Sequence, residues 1–240
     1  MGSTALSINI AEHTALKERL HVAIFSMGAE PLELASRLVG SVSRIEWERV
    51  RCGKLSDDEW SRLATAAERL RNAPLHIHGT PGLSSREVCS NARRLALQFG
   101  KLGLIVVDHL QLMGGASLGE SNSVDESRIA EMGNTTRDLK MLASELQCPV
   151  IAVAQLNLNV EIRNDKRPVL ADLRELGEFE HHADSVMFIY RDDFYNPDSC
   201  DPGVAEIIVA KQRNGPPGMV RLAFDKSLAR FENLESCASG

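Results

Sequence analysis

Residues 102–113 read LGLIVVDHLQLM. An apolar, β-branched run ends on a single aspartate, Asp108, and the chain then passes a polar residue before turning apolar again. A run this short and this apolar predicts a strand covered on both faces, as in a parallel sheet. Asp108 then stands at the strand's carboxyl end, where open α/β sheets bind their ligands. Two readings follow from pattern alone. The carboxylate either holds a cation of the magnesium type or caps the turn that follows it.

Working outward, further strands are predicted at HVAIFSM (21–27), LHIHG (75–79), CPVIAVAQL (148–156), ADSVMFIYR (183–191), VAEIIVAKQR (204–213) and MVRLAFD (219–225). The middle runs are nearly continuous in apolar residues, as a doubly covered parallel sheet requires. Helical patterns lie between them. SSREVCSNARRLALQFG (84–100) opens with a serine cap and a glutamate three residues on, and stops at Gly100. Residues 127–147 carry apolar side chains at helical spacing and end before Pro149. Alternating strands and helices predict an α/β fold with a mostly parallel, twisted sheet flanked by helices. The last two strands, joined through KQRNGPPGM, predict a C-terminal antiparallel β-hairpin. Polar, Gly/Ser- or Pro/Asp-rich stretches at 114–127 and 193–203 read as loops. One domain over 1–235 with a short tail at 236–240 accounts for the chain.

Bulk properties fit that picture and narrow the function. The 240 residues are 43% hydrophobic and 25% charged, an ordinary globular mix. No apolar stretch is long enough to span a membrane, and the N-terminus lacks the plan of a secretory signal. Five scattered cysteines without a C-x-x-C pair read as free thiols of a reducing, cytoplasmic compartment, and argue against zinc. A net charge of −6 excludes a surface that is basic all round, while leaving room for a local basic strip. No G-x-G-x-x-G follows a strand, which disfavours a dinucleotide enzyme.

Gln155 closes the run after Asp108's, placing an amide beside a carboxylate; in isolation it is equally an ordinary polar strand end. The stretches LGLIVVDHLQLM, CPVIAVAQLN, DKRPVLADLRELG, ADSVMFIYRDD and VAEIIVAKQRNGPPGMVRLAFD, taken in order, resemble the ATPase domain of the bacterial replicative DNA helicase family, DnaB. The resemblance runs from about Thr4 to Asn233, and DLRE-x-G followed by KQRNG sets it apart from other RecA-like proteins. It implies a RecA-like P-loop NTPase fold, ATP and Mg²⁺ as cofactors, single-stranded DNA as partner, and a hexameric ring. Primase and a helicase loader are the further partners of full-length relatives.

By the same resemblance, Asp108 is the Walker B aspartate that holds magnesium, and Gln155 couples the γ-phosphate to the DNA loops. Arg213 is the arginine finger that reaches a neighbour's ATP, with Lys211 beside it; alone, a hairpin arginine reads as a solvated charge. Arg174, Glu175 and Gly177 fall on the loop that touches DNA phosphates, with Leu176 in place of the usual serine. Gly2, Ser3 and Thr4 fall on the end of the phosphate loop, and Thr4 joins Asp108 at the metal. Arg163, Lys166 and Arg167 read either as part of a basic strip near the pore or as a solvated loop.

Three departures qualify the resemblance. Ser3 stands where the phosphate-loop lysine belongs, Gly28 where a water-polarising glutamate belongs, and His109 where the family usually has tyrosine. Glu30, two residues beyond Gly28, is the nearest substitute acid. The strand that leads into the phosphate loop does not precede Gly2 here, so two sheet neighbours are expected to show unpaired edges and the chain to be marginally stable or to associate. The expected function is a helicase motor. The alternative is an impaired relative or ring subunit that binds DNA or neighbours without hydrolysing ATP.

Overall fold

The computed structural model describes residues 2–114, 124–156, 159–176 and 179–234. In chain order the elements are α1 (Ser3–Leu16), β1 (His21–Ser26), α2 (Pro31–Ser43), α3 (Trp47–Cys52), α4 (Asp57–Arg71), β2 (Leu75–His78), α5 (Ser85–Phe99) and β3 (Leu102–Asp108). There follow α6 (Val124–Leu146), β4 (Val150–Val153), three single-turn helices α7 (Asn159–Ile162), α8 (Phe179–His182) and α9 (Asp192–Tyr195), and the strands β5 (Ser185–Tyr190), β6 (Val204–Gln212), β7 (Gly218–Asp225) and β8 (Arg230–Asn233). Short 3₁₀ turns cover Leu110–Leu112 and Leu170–Leu176.

The strands form two sheets. Four parallel strands lie in the order β2-β1-β3-β4, and four antiparallel strands in the order β5-β6-β7-β8. The parallel sheet is covered on both faces, and alternation along each strand decides which residue faces which layer. Ala23, Phe25, Ile105 and Val107 pack with Val88, Ala92 and Leu95 of α5 and Leu139 and Leu142 of α6. Val22, Ile24, Leu104 and Val106 pack on the other side with Ile8, Ala11 and Ala15 of α1 and Leu34 and Leu38 of α2. Helix α5 starts as its sequence dictates: Ser84 accepts from the Glu87 amide, and the Ser84 amide donates to Glu87 Oε2 at 2.9 Å.

The structure corrects the sequence expectation in four places. β5 belongs to the antiparallel sheet, because its return to β6 passes through α9 and a surface loop rather than a crossover helix. The expected C-terminal antiparallel hairpin is present as β6 and β7, and the sheet around it also includes β8, a short charged strand (RFEN) without an apolar pattern. β4 is shorter than 148–156 and ends at Val153, because the backbone of Gln155 bonds a side chain instead of a strand. The loop at 193–203 begins inside α9. Among the described residues β4 pairs only with β3 and β5 only with β6, so each presents a free edge. Ala152 of β4 and Ser185 and Met187 of β5 are exposed. Cys89 and Cys148 are buried free thiols and Cys52 and Cys200 exposed ones, while Cys237 and the tail lie outside the described residues.

At the outer edge of the parallel sheet, His21 Nδ1 and His76 Nε2 meet at 3.1 Å with the rings nearly coplanar, and the Phe99 ring stacks on both. Burial, then the neighbouring His21 and His78, holds the His76 imidazole below its ordinary value of 6.5. A lowered value means that the unfolded chain takes up protons first as pH falls. The stability this pair contributes is therefore complete above about pH 6.5 and is lost as the pH drops below it. Melting temperatures between pH 7.5 and 5.5 are expected to fall less steeply in His76→Gln than in the parent chain. Equal slopes would show that the pair does not titrate with folding.

Candidate nucleotide site

Asp108 ends β3 in register with Ser26 at the tip of β1 and Val153 at the tip of β4. The Met27 amide donates to the Asp108 carbonyl at 2.8 Å, which ties the chain leaving β1 to the tip of β3. The carboxylate is only 4% exposed, and its Oδ1 has no hydrogen-bond partner. Burial pushes Asp108 above the usual carboxylate range, while His109, the Thr4 hydroxyl and Arg37 pull the other way. A carboxylate buried at this cost is the kind of group that can meet a positive charge.

Thr4, in the first turn of α1, lies near enough to Asp108 to favour its charged form, so the structure brings together two residues far apart in the sequence. Gly2 is the N-cap of that helix, with φ 113° and ψ 11°, and no side chain caps the turn. A Cβ at position 2 would lie 3.1 Å from the Phe231 ring, so both the backbone conformation and the space require glycine. The first amides of α1 are left for an acceptor of another kind, and helix N-termini favour anions there. Ser3 opens the helix. The C-terminal sheet fixes this end of the molecule: Asn9 bonds the Phe231 amide at 2.8 Å, and Arg230 reaches Glu12 at 3.2 Å.

Gln155 is exposed two residues beyond β4. Gln111, in the turn after Asp108, donates to the Gln155 carbonyl at 2.7 Å and accepts from its amide at 3.2 Å. This reciprocal clamp holds the Gln155 backbone beside the Asp108 loop. Gln111 and Arg37 are residues that sequence reasoning missed. Arg37 sits mid-helix in α2, bonded to Glu33 at 2.6 Å, and nothing in its surroundings in sequence marks it.

The remaining residues lie elsewhere. Arg213 follows β6, its amide donating to the Asp184 carbonyl and its guanidinium 3.1 Å from the Asp184 carboxylate. Lys140, then Arg213 and Lys211, holds Asp184 below the usual carboxylate range. Lys211 Nζ itself donates to the carbonyls of Glu180 and, at 2.8 Å, Ala183, which ends α8 in a satisfied way. Arg174 and Glu175 lie in the 3₁₀ turn Leu170–Leu176, and Gly177 lies outside the described residues. Glu30 is exposed at the N-cap of α2. The basic run at 163–168 is largely neutralised: Arg163 pairs with Asp172 at 2.9 Å, Arg167 with Glu206 at 2.8 Å, and Lys166 lies over the Tyr195 ring. It is neither a free basic strip nor a simple solvated loop.

A parallel sheet with a buried acid at one strand tip, a glutamine beyond the next and an uncapped glycine-led helix alongside defines the RecA-like ATPase fold. The chain matches the family model for the DnaB-like helicase C-terminal domain over residues 1–233. It is 43% identical over 235 residues to the replicative DNA helicase DnaB of Geobacillus stearothermophilus, covering 98% of this chain and 50% of that protein. Among solved structures it superposes on the ATPase domain of G40P with a TM-score of 0.90 at 34% identity, covering 98% of this chain and 81% of that one. A DnaB-like replicative helicase studied for its interactions with primase gives 0.90 at 33% identity, covering 98% and 55%. This chain belongs to the DnaB-like helicase C-terminal domain family. It spans about half the length of the curated relatives it matches.

Proposed function

We propose that this domain, spanning 1–235 with a short tail, is the ATP-driven motor of a replicative DNA helicase that moves on single-stranded DNA. The observation that carries the reading is Asp108: a carboxylate buried at the tip of β3, with Thr4 at the head of α1 beside it. That donor set, one hard carboxylate and one hydroxyl, suits Mg²⁺ with a nucleotide phosphate. Bound magnesium supplies positive charge to the phosphate oxygens. Thr4 and Asp108 would hold it, and the first amides of α1 around Gly2, Ser3 and Thr4 would donate to the phosphates of ATP. Gln155, its backbone clamped by Gln111, would sense the γ-phosphate.

Arg213 acts in trans, with Lys211 bracing the same turn, on a neighbour's nucleotide in a hexameric ring. Arg174, Glu175 and Gly177 form the contact with DNA phosphates. Primase and a loader are partners of the longer protein, and the cytoplasm is its compartment. Ser3 and Gly28 favour a second reading, in which this chain completes a neighbour's site while turning over ATP poorly itself.

Phosphate contacts carry no sequence information. Arg174→Ala is therefore expected to weaken binding of single-stranded oligonucleotides alike for all sequences, and to flatten the salt dependence by about one unit. A loss confined to particular sequences, read by fluorescence anisotropy, would contradict the assignment.

A further inference from the structure

His109 follows the acidic tip, and the proposed nucleotide reading gives it no role. Its Nδ1 is shut off from solvent, without a hydrogen-bond partner, and lies 3.3 Å from the equally unpartnered Oδ1 of Asp108. Each orphan is the other's nearest complement, and a small turn of either side chain makes the bond. The ring remains 31% exposed, so one edge faces the carboxylate while the rest opens toward solvent. Gly28 lies directly across from it. A Cβ built at position 28 would come 3.2 Å from His109 Nδ1 and 3.1 Å from Leu112 Cδ1. The backbone at Gly28 is not left-handed, so glycine is not needed there for its conformation. A side chain there would press on both Leu112 and the imidazole, in a segment pinned to Asp108 through the Met27 amide.

We propose that His109 is the positioning residue of Asp108, with Gly28 leaving room for its ring. The imidazole carries its hydrogen on Nδ1 and directs it at Oδ1, which orients the carboxylate with its other oxygen toward Thr4. Nε2 is left as an acceptor on the open side of the ring, because the bond at one ring nitrogen decides the role of the other. The side chain lost at position 28 is thus matched by one gained from the neighbouring strand tip. This inference rests on the nucleotide reading for its purpose, but its geometry is tested without nucleotide.

Two measurements on the chain itself decide it. In ¹⁵N-histidine spectra at pH 7.5, His109 is expected as the Nδ1–H tautomer, reverting toward Nε2–H in Asp108→Ala; an Nε2–H tautomer in the parent chain overturns the proposal. In a thermal-melt cycle, Gly28→Ala is expected to lower Tm more in the parent than in His109→Ala, where only the Leu112 contact remains. Equal shifts in both backgrounds overturn the coupling. A third readout ties the pair to function. In magnesium titrations of ADP binding, His109→Ala is expected to need about tenfold more Mg²⁺, the worth of one hydrogen bond to a charged group. His109→Asn, which keeps a donor at that place, restores the parent value. If ADP binds with the same magnesium requirement in all three, the positioning role fails and the nucleotide reading stands. If ADP does not bind at all, the nucleotide reading fails, and the spectra and melts still report on the pair.

Discussion

On the proposed reading, Arg213→Ala is expected to lower ATP turnover of a ring by about 10³-fold while leaving the fold intact, since a guanidinium offered in trans to a transferring phosphoryl group is worth at least that much. The expectation follows from how the residue is held. Its backbone is anchored by the Asp184 carbonyl at the end of a long strand, so the side chain starts from a rigid base. Its own ion pair with Asp184 is solvent-exposed, and exposed pairs of this kind contribute about 0–1 kcal/mol. Lys140 remains on Asp184 when the arginine is removed. Tm is therefore expected to move by no more than a degree or two while turnover collapses. The assay needs a phosphate loop that works, so it is made in the background described next. Unchanged turnover would return Arg213 to the status of a surface charge.

Completing the phosphate loop ahead of Thr4, with lysine in place of Ser3, is expected to raise ATP turnover by about 10²–10³-fold, the usual worth of a preorganised donor to a developing charge. The parent chain offers Gly2, the first amides of α1, Thr4 and Asp108 to a nucleotide. No cation stands among these, and Ser3 presents a hydroxyl where a point charge would meet the β- and γ-phosphates. A rise in turnover is the expected result. Turnover that is already high in the parent chain and does not respond would mean that Ser3 is no handicap.

How much of this was legible in the sequence depends on whether a feature is local. The strand ending at Asp108 was legible because covering a strand on both faces leaves no polar position, and 102–108 has none before its last residue. The start of α5 was legible because Ser84 and Glu87 satisfy each other within one turn. The same logic misplaced β5: an apolar run does not say whether its neighbour is parallel, and the short route to β6 decided the matter. β8 escaped because its hold on the molecule is through Arg230 and the Phe231 amide to α1, not through apolar alternation. The basic run at 163–168 looked free because its partners, Asp172 and Glu206, come from elsewhere in the fold.

The site shows the same division. Residue types at strand ends pointed to Asp108 and Gln155, while the meeting of Asp108 with Thr4 required the tertiary packing of α1. The Gln111 clamp and the match between Gly28 and His109 are complementarities across neighbouring strand tips, and no spacing rule encodes them. Gly28 looked like a loss in the sequence. In the structure it is the space another side chain fills.

The most direct measurement is a magnesium titration of ATP turnover by the loop-completed chain beside its Asp108→Asn variant. The amide keeps the shape of the side chain and removes a buried charge, so the variant is expected to melt no lower than its parent. Saturable, magnesium-dependent turnover in the parent and its loss by at least about 100-fold in the variant is the result predicted from an acid held for a cation. Equal turnover and equal magnesium dependence in the two would contradict it.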